Sequence, residues 1–222
     1  MTTYRPGITV VIPTIAPREK MLRRAVESTH ISMQRLGREL FDIEYGEFHG
    51  VLGISPDTSK AGAARTRQVG LEHVDTEWVA FLDDDDEMLP SHLPALFLAQ
   101  IHSGHTGRGA DFLWSRFRIQ FPDGGVQEGP AFLGEKAFSQ WDDADPCQTT
   151  ITTLVRTELA QDVGGFSQFD DTGELIDGQR RGEDHEFTLR CRAAGAEMLH
   201  VPRVTWIWNH HGKNTSGLPE NW

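Results

Sequence analysis

At 222 residues the chain can bury one substantial core, and its 38% hydrophobic and 24% charged composition is that of a folded domain, not a disordered tract. With 33 acidic against 21 basic side chains the formal charge is −12, a field that repels nucleic-acid phosphates and anionic lipid and so excludes a nucleic-acid partner held by charge alone. Cys147 and Cys191 have no Cys-x-x-Cys spacing, no run approaches the length that spans a bilayer, and no basic leader precedes an apolar stretch; a single domain of cytoplasmic location with no integral membrane segment is expected.

The β-branched run Ile8-Thr9-Val10-Val11-Ile12, stopped by Pro13, predicts a buried parallel strand. Leu22, Ala25, Val26, Thr29, Met33 and Leu36 follow at three- and four-residue steps, one apolar stripe of a helix that Gly37 would close. A second strand over 51–54 breaks at Ser55-Pro56-Asp57. A helix over 61–74 follows, with Ala64, Gln68, Leu71 and Val74 on one face. Trp78-Val79-Ala80-Phe81-Leu82 then reads as a central strand that runs directly into Asp83-Asp84-Asp85-Asp86, which puts the acidic cluster at a strand's carboxyl end, where open α/β sheets bind ligands. Beyond Pro90 a helix carries Leu93, Leu96, Phe97 and Ile101, and a Gly-rich loop over 104–109 ends it. Strands are expected over 112–121, with a turn at Asp123-Gly124, and over 149–155. A helix over 183–194 stopped by Gly195 precedes strands over 198–201 and 204–208.

Four successive aspartates repel one another and call for a cation. In an extended strand tip alternate side chains share a face, so Asp83 and Asp85 would point together while Asp84 points away. Hard oxygen donors of this kind suit Mg²⁺ or Mn²⁺ shared with a substrate phosphate, and an EF-hand reading fails because Met88 stands where that loop needs glycine. Gly182-Glu183-Asp184 opens a helix; a carboxylate there either caps the helix or serves as a general base. His210 and His211 end a strand, and an imidazole added to carboxylates tilts the metal preference toward Mn²⁺. Trp141, Trp206 and Trp208 either stack on sugars or pack in the core, and core packing is favoured for two of the three. A loop over 124–134 could close over a ligand.

Together these segments resemble glycosyltransferase family 2. The matching stretches are Val10-Val11-Ile12-Pro13-Thr14, Gly62-Ala63-Ala64-Arg65-Thr66-Arg67, the Asp-x-Asp block at 83–86, Val163-Gly164-Gly165-Phe166, Gly182-Glu183-Asp184 with Arg190, and the histidine segment from His211. The resemblance implies a GT-A fold, α/β with a Rossmann-like nucleotide-sugar half over about 1–110 and an acceptor half over 111–222. It implies that Pro13, Thr14, Asp57, Arg65, Asp83, Asp84 and Glu183 line the nucleotide-sugar site, with Thr14, Asp57 and Asp83 on the base and ribose. Asp85 and His211, or alternatively His210, would hold Mn²⁺ or Mg²⁺, and Asp184 would be the catalytic base of an inverting transfer. The donor implied is a UDP-sugar, and the acceptor a glycan, a protein or a small molecule. The chain departs from the family pattern in having a single acid, Asp57, where a pair usually ends the second strand, and Thr66 where Asn usually follows the arginine.

Two other readings share parts of these features. A sugar nucleotidyltransferase would need a Gly-rich basic loop after the first strand, which 13–17 lacks. A non-catalytic nucleotide-sugar or carbohydrate-binding protein would have little need of the Glu183-Asp184 pair.

Overall fold

The computed structural model describes residues 4–40, 49–58, 62–104, 109–128, 142, 144–146, 151–166 and 182–211. Its first half is β1 (Arg5–Thr14), α1 (Glu19–Leu36), β2 (His49–Pro56), α2 (Gly62–Glu72) and β3 (Thr76–Phe81). There follow β4 (Glu87–Met88), α3 (His92–Gly104), β5 (Phe112–Gln120), β6 (Val126–Glu128), β7 (Thr153–Arg156), α4 (Thr157–Asp162), α5 (Glu183–Ala193) and β8 (Met198–Asn209). Strand order is β2-β1-β3-β7-β5-β8-β4, with β6 paired to β5. β1 runs parallel to β2 and β3; β7 is antiparallel to β3 and β5; β5 and β8 are parallel, and β4 is antiparallel to β8. The sheet is therefore mixed, and strands of both halves of the chain lie in it.

Alternation along the strands sorts side chains between two helical layers. Ile8, Val10 and Ile12, with Trp78, Ala80 and Leu82, face Ala25, Met33 and Leu36 of α1 and Leu93 and Leu96 of α3. Val11, Val79 and Phe81 face the other way, onto Ala64 and Leu71 of α2, Ala160 of α4, and Phe187 and Cys191 of α5. Each large aliphatic or aromatic side chain buried this way contributes about 1.5–3 kcal/mol. Phe81 meets Phe166 edge-on at 5.3 Å, and Phe166 stacks on Phe187 at 4.8 Å, which anchors α5 under the end of β3. Trp206 and Trp208 pack with Phe117 and Ile119 in a third cluster, so both are core residues; Trp141 lies outside the described residues.

Several boundaries differ from expectation for physical reasons. β1 continues through Pro13 because its ladder with β3 has ended at Val11, so the missing N–H forfeits no bond on that side. Gly37 keeps right-handed torsions (φ −54°, ψ −53°), and the chain continues in a wider turn to Leu40 rather than stopping. The two strands expected around Pro202 are one, β8, with the register against β5 shifting beside Ser115 and Arg116. β4 and α4 are too short to leave a periodic signal. Gly124, at φ +86°, makes the β5–β6 turn, as the Asp123-Gly124 pair predicts. Of the loops expected over 104–109 and 124–134, residues 105–108 and 129–134 lie outside the described residues, as do Ala61, Thr149, Thr150 and Cys147. No helix among the described residues is long and apolar enough to cross a membrane.

Candidate active site at the end of the third strand

The Leu82 N–H donates to the Val11 carbonyl at 3.1 Å and closes the ladder; the chain then turns, with the Asp86 N–H donating to the Asp83 carbonyl at 3.1 Å. The acidic block is thus a turn, not an extended tip, and strict alternation gives way to a three-carboxylate cluster. Oxygens of Asp83, Asp85 and Asp86 lie within 4.8 Å of one another. Asp84 points elsewhere and is buried: Thr14 Oγ1 donates to its Oδ2 at 2.6 Å, and Arg18 Nη1 donates to its Oδ1 at 2.7 Å. Thr14 and Asp84 therefore engage one another across the ends of β1 and β3.

Two unit charges 4.8 Å apart repel by about 3 kcal/mol at an effective dielectric constant near 20, more than a marginally stable fold sheds lightly. Burial and this repulsion act together on the cluster's carboxyls. Burial, then the neighbouring Asp85 charge, raises Asp86 well above the ordinary carboxylate range. Burial also raises Asp83, and Arg67 only partly offsets it.

The carboxyl end of β8 lies against the acidic turn. The Asn209 N–H donates to Asp86 Oδ1 at 3.0 Å, and Asn209 Nδ2 donates to the Asp85 carbonyl at 2.8 Å, so β8 fixes the turn. His211 Nε2 lies 3.0 Å from Asp85 Oδ2, whereas His210 packs against Phe121 and Trp208, with ring centroids at 5.6 and 5.3 Å. Arg18 Nη1 also approaches Asp85 Oδ2, at 3.4 Å. The segment from Gly212 onward lies outside the described residues.

On the opposite side α5 begins at Glu183, and its first turn holds Glu183, Asp184 and Glu186. Anionic side chains are favoured there by the helix dipole. Asp184 Oδ1 accepts the His185 N–H at 2.7 Å. Burial first, and the Glu183 charge second, push the Asp184 carboxyl up to about 6. Glu183 goes the other way: burial raises it, but the Arg67 charge with hydrogen bonds from its own backbone and from Arg67 outweighs burial and holds it below the usual range. Adjacent carboxyls are thereby driven apart, the pattern of a site that needs one permanent anion and one proton acceptor.

The link between the two sides is Arg67, a residue that the motif match leaves unassigned. Its Nη2 donates to Asp83 Oδ1 at 2.5 Å and its Nη1 to Glu183 Oε1 at 2.6 Å, from a side chain that is 4% exposed. Arg65, by contrast, lies on the solvent side of α2, 3.8 Å from Glu72. The signal was in the helical period: Arg67 is three residues from buried Ala64 and four from buried Leu71, whereas Arg65 is off that stripe. Asp57 directly follows β2, where its N–H donates to the Thr14 carbonyl at 2.7 Å and its Oδ2 accepts the Gly62 N–H at 3.0 Å. Pro13 is buried beside Ser55. The Gly164-Gly165 turn, with φ of +82° and +53°, is held by Arg190, whose guanidinium donates to the carbonyls of Val163 and Gly165.

A mixed sheet between two helical layers, with an acidic turn at a strand's carboxyl edge facing a carboxylate-bearing helix start, defines a GT-A protein. Residues 38–152 match the profile described as Glycosyl transferase family 2, and the chain belongs to that family. Among solved structures, S. aureus TarS is similar over 92% of this chain and 37% of its own, with a TM-score of 0.59 at 18% identity. The TarS 1–349 structure in complex with UDP-GlcNAc is similar over 96% of this chain and 60% of its own (TM-score 0.59, 17% identity). The corresponding complex with UDP gives 92%, 60%, 0.59 and 18%. At these identities the likeness is one of fold, and the chain spans 37% to 60% of the length of those structures. No curated protein matches the chain significantly.

Proposed function

We propose that the protein transfers a sugar from a nucleotide-diphosphate sugar, a UDP-sugar by the family's habit and by the ligands of the TarS structures, to an acceptor hydroxyl with inversion. The observation that carries this reading is the opposition of the Asp83–Asp85–Asp86 cluster to the Asp184 carboxyl, joined through Arg67 and Glu183. The cluster's donor set fits a divalent cation: three carboxylates in mutual reach, with an imidazole nitrogen on Asp85, suit Mn²⁺ or Mg²⁺. Asp85 and His211 would hold the ion, and when bound it supplies positive charge to the departing diphosphate.

The chain's own residues have the remaining tasks. Asp184, ionised at neutral pH yet more basic than an ordinary carboxylate, takes the proton of the attacking hydroxyl as its oxygen bonds to the anomeric carbon and the bond from that carbon to the diphosphate breaks. Asp83 and Asp57, with Pro13 and Thr14 at the end of β1, form the wall for base and ribose, and Asp84 keeps Thr14 and Arg18 in place. The acceptor, whether glycan, protein or small molecule, approaches from the α5 side, so the division into a nucleotide half and an acceptor half follows the two walls of the crevice.

The test is a thermal-shift screen of nucleotide sugars with and without Mn²⁺, followed by transfer assays with the stabilising donor. A donor that raises the melting temperature only with metal, and is then turned over, supports the proposal. Stabilisation without any transfer or donor hydrolysis would favour the non-catalytic binder instead.

A further inference from the structure

The Arg67 guanidinium touches both the acidic turn and the start of α5, and neither partner is near it in sequence: Asp83 is 16 residues away and Glu183 is 116. We propose that Arg67 is a positioning residue that sets the separation between the strand end carrying the carboxylate cluster and the helix start carrying Asp184. The inference rests on the function proposed above.

Three features of the surroundings fit a spacer. Arg67 springs from α2, whose packing against the sheet is rigid: Ala64 and Leu71, on the same stripe, are 3% and 1% exposed. Its guanidinium lies 6.0 Å from the Phe166 ring centroid, and the Phe166 N–H in turn donates to Oε1 of Gln68, the next residue on α2, at 2.7 Å. The planar fork sends Nη1 and Nη2 to different carboxylates, a division that a lysine ammonium, a point charge on a flexible stem, reproduces only in part. The energetics also point to geometry. Replacing a whole buried ion pair by well-packed apolar side chains is often near neutral, so the bridge is weakly explained as a stabiliser, although removing one partner alone strands the other charge. Asp83 and Glu183 retain 35% and 29% side-chain exposure, so water can take over part of their solvation if the guanidinium is removed, and Arg67→Lys, which keeps the charge, carries the test should Arg67→Met not fold.

The experiment compares Arg67→Met, Arg67→Lys, Glu183→Gln and the Arg67→Met/Glu183→Gln double variant in steady-state transfer, with hydrogen exchange of the 183–186 amides as a measurement independent of turnover. Misplacing a catalytic group by an ångström costs about 10²-fold in rate, so Arg67→Met should lower kcat by about that factor while the donor KM moves much less. Arg67→Lys should recover part of the loss. Adding Glu183→Gln to Arg67→Met should cost little more, because the two act through one bridge. The 183–186 amides should exchange faster in Arg67→Met. A folded Arg67→Met protein with wild-type kcat, additive effects in the double variant, or unchanged exchange at 183–186 would overturn the inference. Should the wild-type protein transfer nothing, the proposed function falls, and the exchange comparison still decides whether Arg67 holds α5 to the strand end.

Discussion

Replacing Asp184 with Asn separates catalysis from folding, because the two should move in opposite directions. The Asn side-chain oxygen can accept the His185 N–H that Asp184 Oδ1 accepts at 2.7 Å, so the first turn of α5 keeps its bond. The carboxyl titrates near 6 instead of 3.8. For an acid with a raised folded-state value, the folded form binds its proton more tightly than the unfolded chain does. Stability is then greatest below the unfolded value and declines as pH rises toward about 6. At pH 7 the ionised carboxylate therefore costs the fold something, with an upper limit of about 3 kcal/mol. Against this stands the lost attraction of an anion for the helix N-terminus, about 0.3–1 kcal/mol. The variant should be at least as stable as the parent, with a melting temperature unchanged or up by several degrees. Transfer should nonetheless fall by about 10²–10⁴-fold, the usual contribution of a general base, or roughly 3–5 kcal/mol of barrier. The assay is kcat for sugar transfer beside a melting curve of the same preparation. In the parent, log(kcat/KM) should rise with unit slope up to about pH 6 and level above it, and the variant should lose that limb. A variant that keeps more than about a tenth of the parental rate, where a base should contribute at least 10²-fold, or a parent whose acid limb persists without the carboxyl, refutes the assignment.

Asp85→Ala should abolish the dependence of donor affinity on Mn²⁺, since it removes the carboxylate beside His211; equal affinities in the parent with and without metal would refute the role. Gly165→Ala should destabilise by about 1–3 kcal/mol in chemical denaturation, because φ is +53° and the new methyl would stand 2.4 Å from Gln68 Oε1 and 2.6 Å from Leu71 Cδ2. His92, fully buried with Nδ1 at 2.8 Å from Thr205 Oγ1, is pushed by burial down to about 3, so its neutral form stabilises the fold above 6.5 and that contribution is lost as pH falls below it. Between pH 7 and 5 the loss is about 2 kcal/mol, and His92→Asn should lose less stability than the parent over that interval.

The layers were legible because the core is periodic. Ile8, Val10 and Ile12 alternate with Val11 at the period of a strand, and Ala25, Met33 and Leu36 repeat at that of a helix, so both faces of the sheet could be read before their partners were known. What escaped has a common cause, which is that short or aperiodic pieces are defined by what they pair with. β4 is two residues long and exists because Glu87 and Met88 pair with Ile207 and Trp206. The continuity of β8 across Pro202 depends on a register shift in β5, a strand some ninety positions earlier in the numbering of its partners.

The acidic turn carries the same lesson into chemistry. Four identical side chains in a row, Asp83 to Asp86, hold different stations because each is claimed by a different distant element: Asp83 by Arg67 of α2, Asp84 by Thr14 and Arg18 after β1, Asp85 by His211, and Asp86 by the backbone of Asn209. Local alternation placed Asp84 apart from Asp83 and Asp85, but it could not bring Asp86 into the cluster, since that needs the Asp86-to-Asp83 turn bond and the β8 strand end. With Glu183 and Asp184 added, six carboxyls share this region with two guanidinium groups: Arg18 reaches Asp84 and Asp85, and Arg67 reaches Asp83 and Glu183. The imbalance favours a further cation; Arg18 lies 3.4 Å from Asp85, so Asp86, held by the Asn209 N–H, is the member of the turn that neither arginine reaches. Within the turn the least compensated charge therefore lies on the β8 side, while the Arg67 side is already bridged to α5.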